Sequence, residues 1–113
     1  MELPDIITAL PEVDLPFPPD GMRANLLQSA DGQVVFFRII EDAVIPPHSH
    51  GGQWGTVLEG LVELTMDGRT RRLGPGDSYY IPAGVIHSAI MRAGTKFVDF
   101  FEENNRHKAK PAP

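Results

Sequence analysis

Between residues 24 and 102 the chain is a succession of short β-prone runs, each closed by a turn signal. This punctuation leaves no room for a helix of useful length. Gln33–Glu41 (QVVFFRIIE) is β-branched and aromatic, which suits a pleated strand. Ala30-Asp31-Gly32 precedes it and reads as a hairpin turn back to Ala24–Ser29. Leu61–Met66 and Thr70–Leu73 flank Asp67-Gly68, the strongest of the short hairpin signals. Gly74-Pro75-Gly76-Asp77 is a further turn. Ser78–Ile81, His87–Met91 and Lys96–Phe101 follow, separated by Pro82-Ala83-Gly84 and Ala93-Gly94. Many short strands at regular spacing predict an all-β sandwich or barrel.

The ends differ from this middle. Five prolines (Pro4, Pro11, Pro16, Pro18, Pro19) predict that residues 1–23 form an extended arm, because proline fixes φ and removes a backbone donor. Asp5–Leu10 could make one helical turn within it. Residues 104–113 are polar and end in Pro-Ala-Pro, so they are expected to form a flexible tail. The barrel is then expected over 24–103. Two of its strands, VVFFRII and KFVDFF, are apolar on both faces, whereas a sandwich normally leaves its outer faces polar. A second cover is needed. The arm and a second copy of the chain are both expected to supply it, which predicts a homodimer.

A length of 113 residues fits one domain. The net charge of −5 argues against nucleic acid as a partner, since phosphate binding needs a basic stripe. The one dense basic patch, Arg69, Arg71 and Arg72, reads as a solvated edge that blunts strand pairing. No cysteine is present, which excludes disulfides and thiolate ligands. The first residues lack a basic region followed by an unbroken apolar one, and no stretch approaches the roughly 18 apolar residues of a membrane span. The protein is expected to be soluble and cytoplasmic, without a membrane partner.

The chemistry concentrates in HSHGGQ, residues 48–53. In a strand, residues two apart project from one face, so His48 and His50 point the same way. Gly51-Gly52 lets the chain turn, and Gln53 can come back towards the same side. His87 stands after Pro82-Ala83-Gly84-Val85, at the start of another apolar strand. Three imidazoles and an amide oxygen converging in a barrel would bind a divalent transition metal, since imidazole suits Zn, Cu, Fe and Ni. A lone His-x-His is a weak signal, and histidines beside turns are common. His107, between Arg106 and Lys108 in the tail, illustrates the ordinary case and is read as solvated.

Two motifs tip the balance, and through them the chain resembles a small single-domain cupin. The first family motif reads His48-Ser49-His50, then Gln53, six residues and Gly60. The second reads Gly76, Pro82, Gly84, His87. The resemblance covers roughly residues 40–92 by motif and most of 24–102 by strand pattern. It implies a jelly-roll-like cupin β-barrel with one divalent metal inside (Zn, Fe, Ni or Mn). Asp42 replaces the motif's first glycine and Met91 its final Asn. Gln53 stands where a ligand glutamate is expected, one residue sooner than usual. It can offer only a neutral carbonyl. A site of three neutral imidazoles and an amide keeps its full double charge and favours anionic ligands. Gln53 could instead hydrogen-bond a histidine and orient it.

The expected metal ligands are therefore His48, His50, Gln53 and His87. Substrate contacts are expected from Met91, which shares a face with His87, and from Phe36, Arg38 and Tyr80. Phe36 and Arg38 share one strand face, and the opposite register would put Arg38 at the surface. Trp54 alternates with Gln53 and should point away from the metal. No further general base is evident. The resemblance implies a metalloenzyme acting on a small anionic organic substrate, by dioxygenase, decarboxylase or isomerase chemistry. The alternatives are a non-catalytic module that binds a small molecule or metal, and a structural dimer with a vestigial site.

Overall fold

A computed structural model describes residues 1–111. It contains one short helix, α1 (Asp5–Thr8), and nine strands. These are β1 (Met22–Ser29), β2 (Gly32–Ile39), β3 (Ala43–His48), β4 (Gln53–Glu59), β5 (Val62–Met66), β6 (Arg69–Leu73), β7 (Ser78–Ile81), β8 (His87–Met91) and β9 (Lys96–Phe101). All pairings between named strands are antiparallel. They build a five-stranded sheet in the order β1-β2-β9-β4-β7 and a four-stranded sheet in the order β3-β8-β5-β6. The two sheets face each other in a jelly-roll arrangement and do not hydrogen-bond into a closed barrel. Among the described residues, no helix is long and apolar enough to cross a membrane.

The turns read from the sequence do form. Asp67 and Gly68 take φ values of 53° and 71°, the pair of positive angles that a tight hairpin needs, and β5 and β6 pair from Met66↔Arg69 to Val62↔Leu73. Alternation then selects the core. Along β2, Val35, Phe37 and Ile39 are buried, while Val34, Phe36 and Arg38 are only partly so. Phe37 stacks on Phe97 of β9 with ring centroids 4.7 Å apart.

The outer face of the five-stranded sheet is covered over only one half among the described residues. Residues 1–10 lie across one half of it. Leu3 is buried, the terminal amine donates to Glu59, and Asn25 Nδ2 donates to the carbonyls of Thr8 and Leu10. The other half is bare. Leu27, Val34, Phe100, Trp54 and Tyr80 are successive cross-strand partners, one from each strand of the sheet. Four of them are large exposed hydrophobics: Leu27 54%, Phe100 47%, Trp54 42% and Tyr80 60%.

A flexible tail was expected over residues 104–113; of these, 104–111 are described and hydrogen-bond to the rest of the chain, and 112 and 113 lie outside the described residues. Asp14 N–H donates to Lys108 C=O and Lys110 N–H to Glu12 C=O, both at 2.8 Å, so the tail pairs with the arm. The arm in turn pairs with β1 through Val13 N–H and Ala24 C=O at 2.9 Å. Gln33 holds the tail from below, donating to His107 C=O at 2.8 Å and accepting from His107 N–H at 2.9 Å. His107 is accordingly not solvated. Its ring packs edge-on against Phe101 at 4.9 Å and Phe37 at 5.8 Å.

Candidate metal centre

The three histidines meet at one end of the sandwich because strand pairing brings them there. His48 ends β3 and His87 begins β8, and the two are direct cross-strand partners past a bulge after Ile45. His50 follows two residues on, and its carbonyl accepts from Gly84 N–H at 2.9 Å, tying the two motif turns together. Ring centroids lie 4.2 Å (His48–His87), 4.9 Å (His50–His87) and 5.2 Å (His48–His50) apart. One nitrogen of each ring lies within 4.8 Å of the others.

The hydrogen bonds of these rings fit metal binding. Each Nδ1 sits against a nearby backbone carbonyl: Pro46 at 2.9 Å for His48, Gly51 at 2.8 Å for His50, and Val85 at 2.9 Å for His87. A carbonyl can only accept, so each Nδ1 carries a proton, and in the neutral ring the lone pair is on Nε2. Burial also holds His50 and His87 below the ordinary histidine range, which keeps them neutral. Metal ligation needs neutral imidazole.

Gln53 begins β4 beside them and is buried. Its Nε2 donates to Asp99 Oδ2 at 2.9 Å, and its Oε1 has no hydrogen-bond partner among the described residues. A buried orphan carbonyl is costly unless something else takes its lone pairs. A divalent cation would. Three free Nε2 lone pairs and one free amide oxygen thus fit a single divalent metal.

Behind Gln53 lies a network absent from the sequence reading. Asp99 is 3% exposed, and its Oδ1 accepts a short hydrogen bond from the Tyr79 hydroxyl. Burial raises the Asp99 carboxyl to about 7, against the opposing pull of the bonds from Tyr79 and Gln53. Burial, and then the Asp99 charge, push Tyr79 well above its ordinary value. Gly55 makes the contact possible, because a Cβ there would overlap Asp99 Oδ1 and the Tyr79 ring. The signal available was an acidic residue on the same face as Phe97 and Phe101 in an otherwise apolar strand.

The histidine triad sits in a cavity of about 360 Å³ between the sheets. Met91 lines it, together with Ile45, Phe97 and Phe101. Leu15 and Phe17 of the arm and Arg106 and His107 of the tail close it. Arg106 forms no ion pair among the described residues. The other three expected substrate contacts are not there. Phe36 and Arg38 lie on the outer face of β2, and Phe37 takes the inner place. Arg38 reaches Asn25 Oδ1 at 3.4 Å beneath the arm. Tyr80 is 60% exposed, and Tyr79 lines the cavity instead. Trp54 points outward as expected and packs edge-on against Phe100 at 5.6 Å.

Residues 35–101 match the family model of the cupin domain, and the chain belongs to the cupin family. Among solved structures it is similar to KdgF from Halomonas sp., with 26% identity and a TM-score of 0.71 over 82% of this chain and 87% of that one. It is also similar in fold to an RmlC-like cupin from Shewanella frigidimarina, with 24% identity and a TM-score of 0.74 over 85% and 86%. Oxalate decarboxylase from Bacillus subtilis, a protein with Mn(II) centres, shares the fold at 24% identity and a TM-score of 0.65. That likeness covers 76% of this chain but 26% of the decarboxylase. No curated protein sequence matches the chain.

Proposed function

We propose that this protein is a metal-dependent cytoplasmic cupin enzyme that moves a proton on a small anionic organic substrate. The observation that carries the proposal is the convergence of three histidine rings in a largely apolar cavity that is also lined by Gln53, whose Oε1 has no partner among the described residues, and by the buried Asp99. His48, His50, Gln53 and His87 would hold one divalent ion, Zn, Fe, Ni or Mn, which would supply a Lewis acid for a substrate oxygen. Arg106 at the rim offers an unpaired cation to a substrate carboxylate. Met91, Phe97 and Phe101 exclude water and hold the substrate skeleton. Asp99, backed by Tyr79, is placed to take and return a proton, which favours isomerase-type chemistry over the dioxygenase and decarboxylase types. Residues 24–103 would form the catalytic barrel, with the arm and the tail closing it.

The test follows metal and hydrogen separately. Elemental analysis of chelator-free protein should give about one metal per chain. Incubation in D2O with a panel of small keto and enol carboxylates, followed by NMR, should show metal-dependent deuterium uptake next to a substrate carbonyl. Bound metal without exchange or turnover on any panel member would leave a non-catalytic binding module. Protein that takes up no metal would sink the reading.

A homodimer is part of the same proposal. The Leu27–Val34–Phe100–Trp54–Tyr80 row exposes on the order of 400 Å² of apolar side chain, a patch size that is often functional. The row carries no charge and crosses the whole sheet, so a second copy can lay the same row on it about a two-fold axis. Light scattering should give twice the chain mass; a monomer at micromolar concentration would refute it.

A further inference from the structure

His50 and Gln53 are separated only by Gly51 and Gly52. This two-residue turn therefore sets where both donor groups stand. Its amides are gripped from outside by the residues that follow β9. Gly51 N–H donates to Glu103 Oε1 at 2.8 Å, and Gly52 N–H donates to Glu102 Oε1 at 2.5 Å. In the opposite sense, Glu102 N–H donates to Gly52 C=O at 3.0 Å. Glu103 Oε1 also lies 3.9 Å from His50 Nδ1.

The glycines are explained by this grip. Neither is among the glycines with positive φ, so torsion does not require them. Space does. A Cβ on Gly51 would stand 2.8 Å from Glu103 Cγ, and one on Gly52 would stand 3.1 Å from the Glu102 carboxyl carbon. Side chains at these positions would push both carboxylates off the amides. On the far side of the turn, Asp99 of β9 holds Gln53 Nε2 at 2.9 Å. One continuous segment, Asp99 to Glu103, thus fixes the turn and the amide that ends it.

We propose that Glu102 and Glu103 are positioning residues of the metal centre: their carboxylates grip the Gly51-Gly52 amides and so hold His50 and Gln53 at ligating separation. The inference rests on reading His48, His50, Gln53 and His87 as that centre. Carboxylate-to-amide bonds are charge-assisted and stronger than neutral ones. Removing a partner that orients a ligand typically costs about 10–100-fold in metal affinity.

The test uses full-length protein with Zn²⁺ in competition with a chromogenic chelator, and Co²⁺ as a spectroscopic probe of geometry. Glu102→Ala/Glu103→Ala should bind Zn²⁺ about 10–100-fold more weakly and show an altered Co²⁺ visible spectrum. Glu102→Gln/Glu103→Gln keeps an acceptor oxygen at each place and should recover most of the affinity and the wild-type spectrum. An alanine variant with wild-type affinity and spectrum overturns the proposal. So does a glutamine variant as weak as the alanine one, because charge rather than grip would then be responsible. If the alanine variant does not fold, Gly52→Ala, which displaces the Glu102 carboxyl from the other side, should show the same loss; wild-type affinity there overturns the proposal. Wild-type protein that binds neither ion refutes the metal centre itself, a result separate from normal binding by both wild type and variants.

Discussion

The two faces of the five-stranded sheet invert the usual distribution of polarity. On the inner face, Gln53 and Asp99 are linked by a hydrogen bond, and Tyr79 adds its hydroxyl, all in an otherwise apolar cavity. On the outer face, one residue along the same strands, Trp54, Phe100 and Tyr80 stand exposed. Strand alternation makes the offset of one residue the whole difference. Buried polar groups cost free energy unless they are satisfied, and exposed aromatics are unfavourable in water. Each face therefore matches a different part of the proposed function: the metal and substrate inside, the second chain outside.

The contrast is undone most completely at the metal centre. His48→Ala/His87→Ala should reduce bound metal from about one per chain to none by elemental analysis, while the apolar outer row and the dimer mass stay unchanged. Retained metal would show that the inner face is not the binding face.

Asp99→Asn probes the inner half more finely. The Asp99 carboxyl is raised in the folded state to about 7 from 3.8. The folded protein therefore holds this proton more tightly than the unfolded chain does. Its contribution to stability is fully present below the unfolded value and is lost as pH rises through about 7. In metal-free protein, the variant should gain on wild type across that window by something on the order of 4 kcal/mol. Urea titrations at acid and mildly alkaline pH give the difference. A constant gap between the two proteins would contradict it. The substitution would also place an amide where Gln53 Nε2 now donates, so the Gln53 amide should turn over and metal affinity should fall.

The outer half is tested by Trp54→Arg. A charge in the middle of the aromatic row should halve the mass seen by light scattering at micromolar concentration, with metal content unaffected. A smaller effect is expected at the rim between the two faces. Burial lowers His107 to about 4, so the neutral ring's contribution is present above the ordinary histidine value and is lost as pH falls towards 4. Hydrogen exchange at residues 104–111 should accelerate in that acid range before the strands open. A His107→Phe variant should keep the tail protected there.

Much of this was legible beforehand, for local reasons. β7, β8 and β9 begin and end where turn residues placed them, because glycine and proline act on the backbone of their own neighbours. The histidines were legible because a shared strand face is a matter of spacing, and Met91 followed from His87 by the same rule. The facing of two strands was not legible. Phe36, Arg38 and Tyr80 were named as substrate contacts with the opposite register left open, and Phe37 and Tyr79 are the residues that line the cavity. Period two tells which residues share a face. It does not tell which face is inside when both are apolar, as in VVFFRII.

The order of residues along the chain was enough for the strand-and-turn plan, the cupin motifs and three imidazoles able to share an ion. Which face turned inward was settled by the packing of the two sheets. The same packing revealed the Gln53–Asp99–Tyr79 network and the hydrogen bonds of Glu102 and Glu103 to the Gly51-Gly52 turn. Separation along the chain accounts for the division. Gln53 and Asp99 are 46 residues apart, and Gln33 and His107 are 74 apart. Such contacts depend on strand register, and no local propensity encodes a partner that distant.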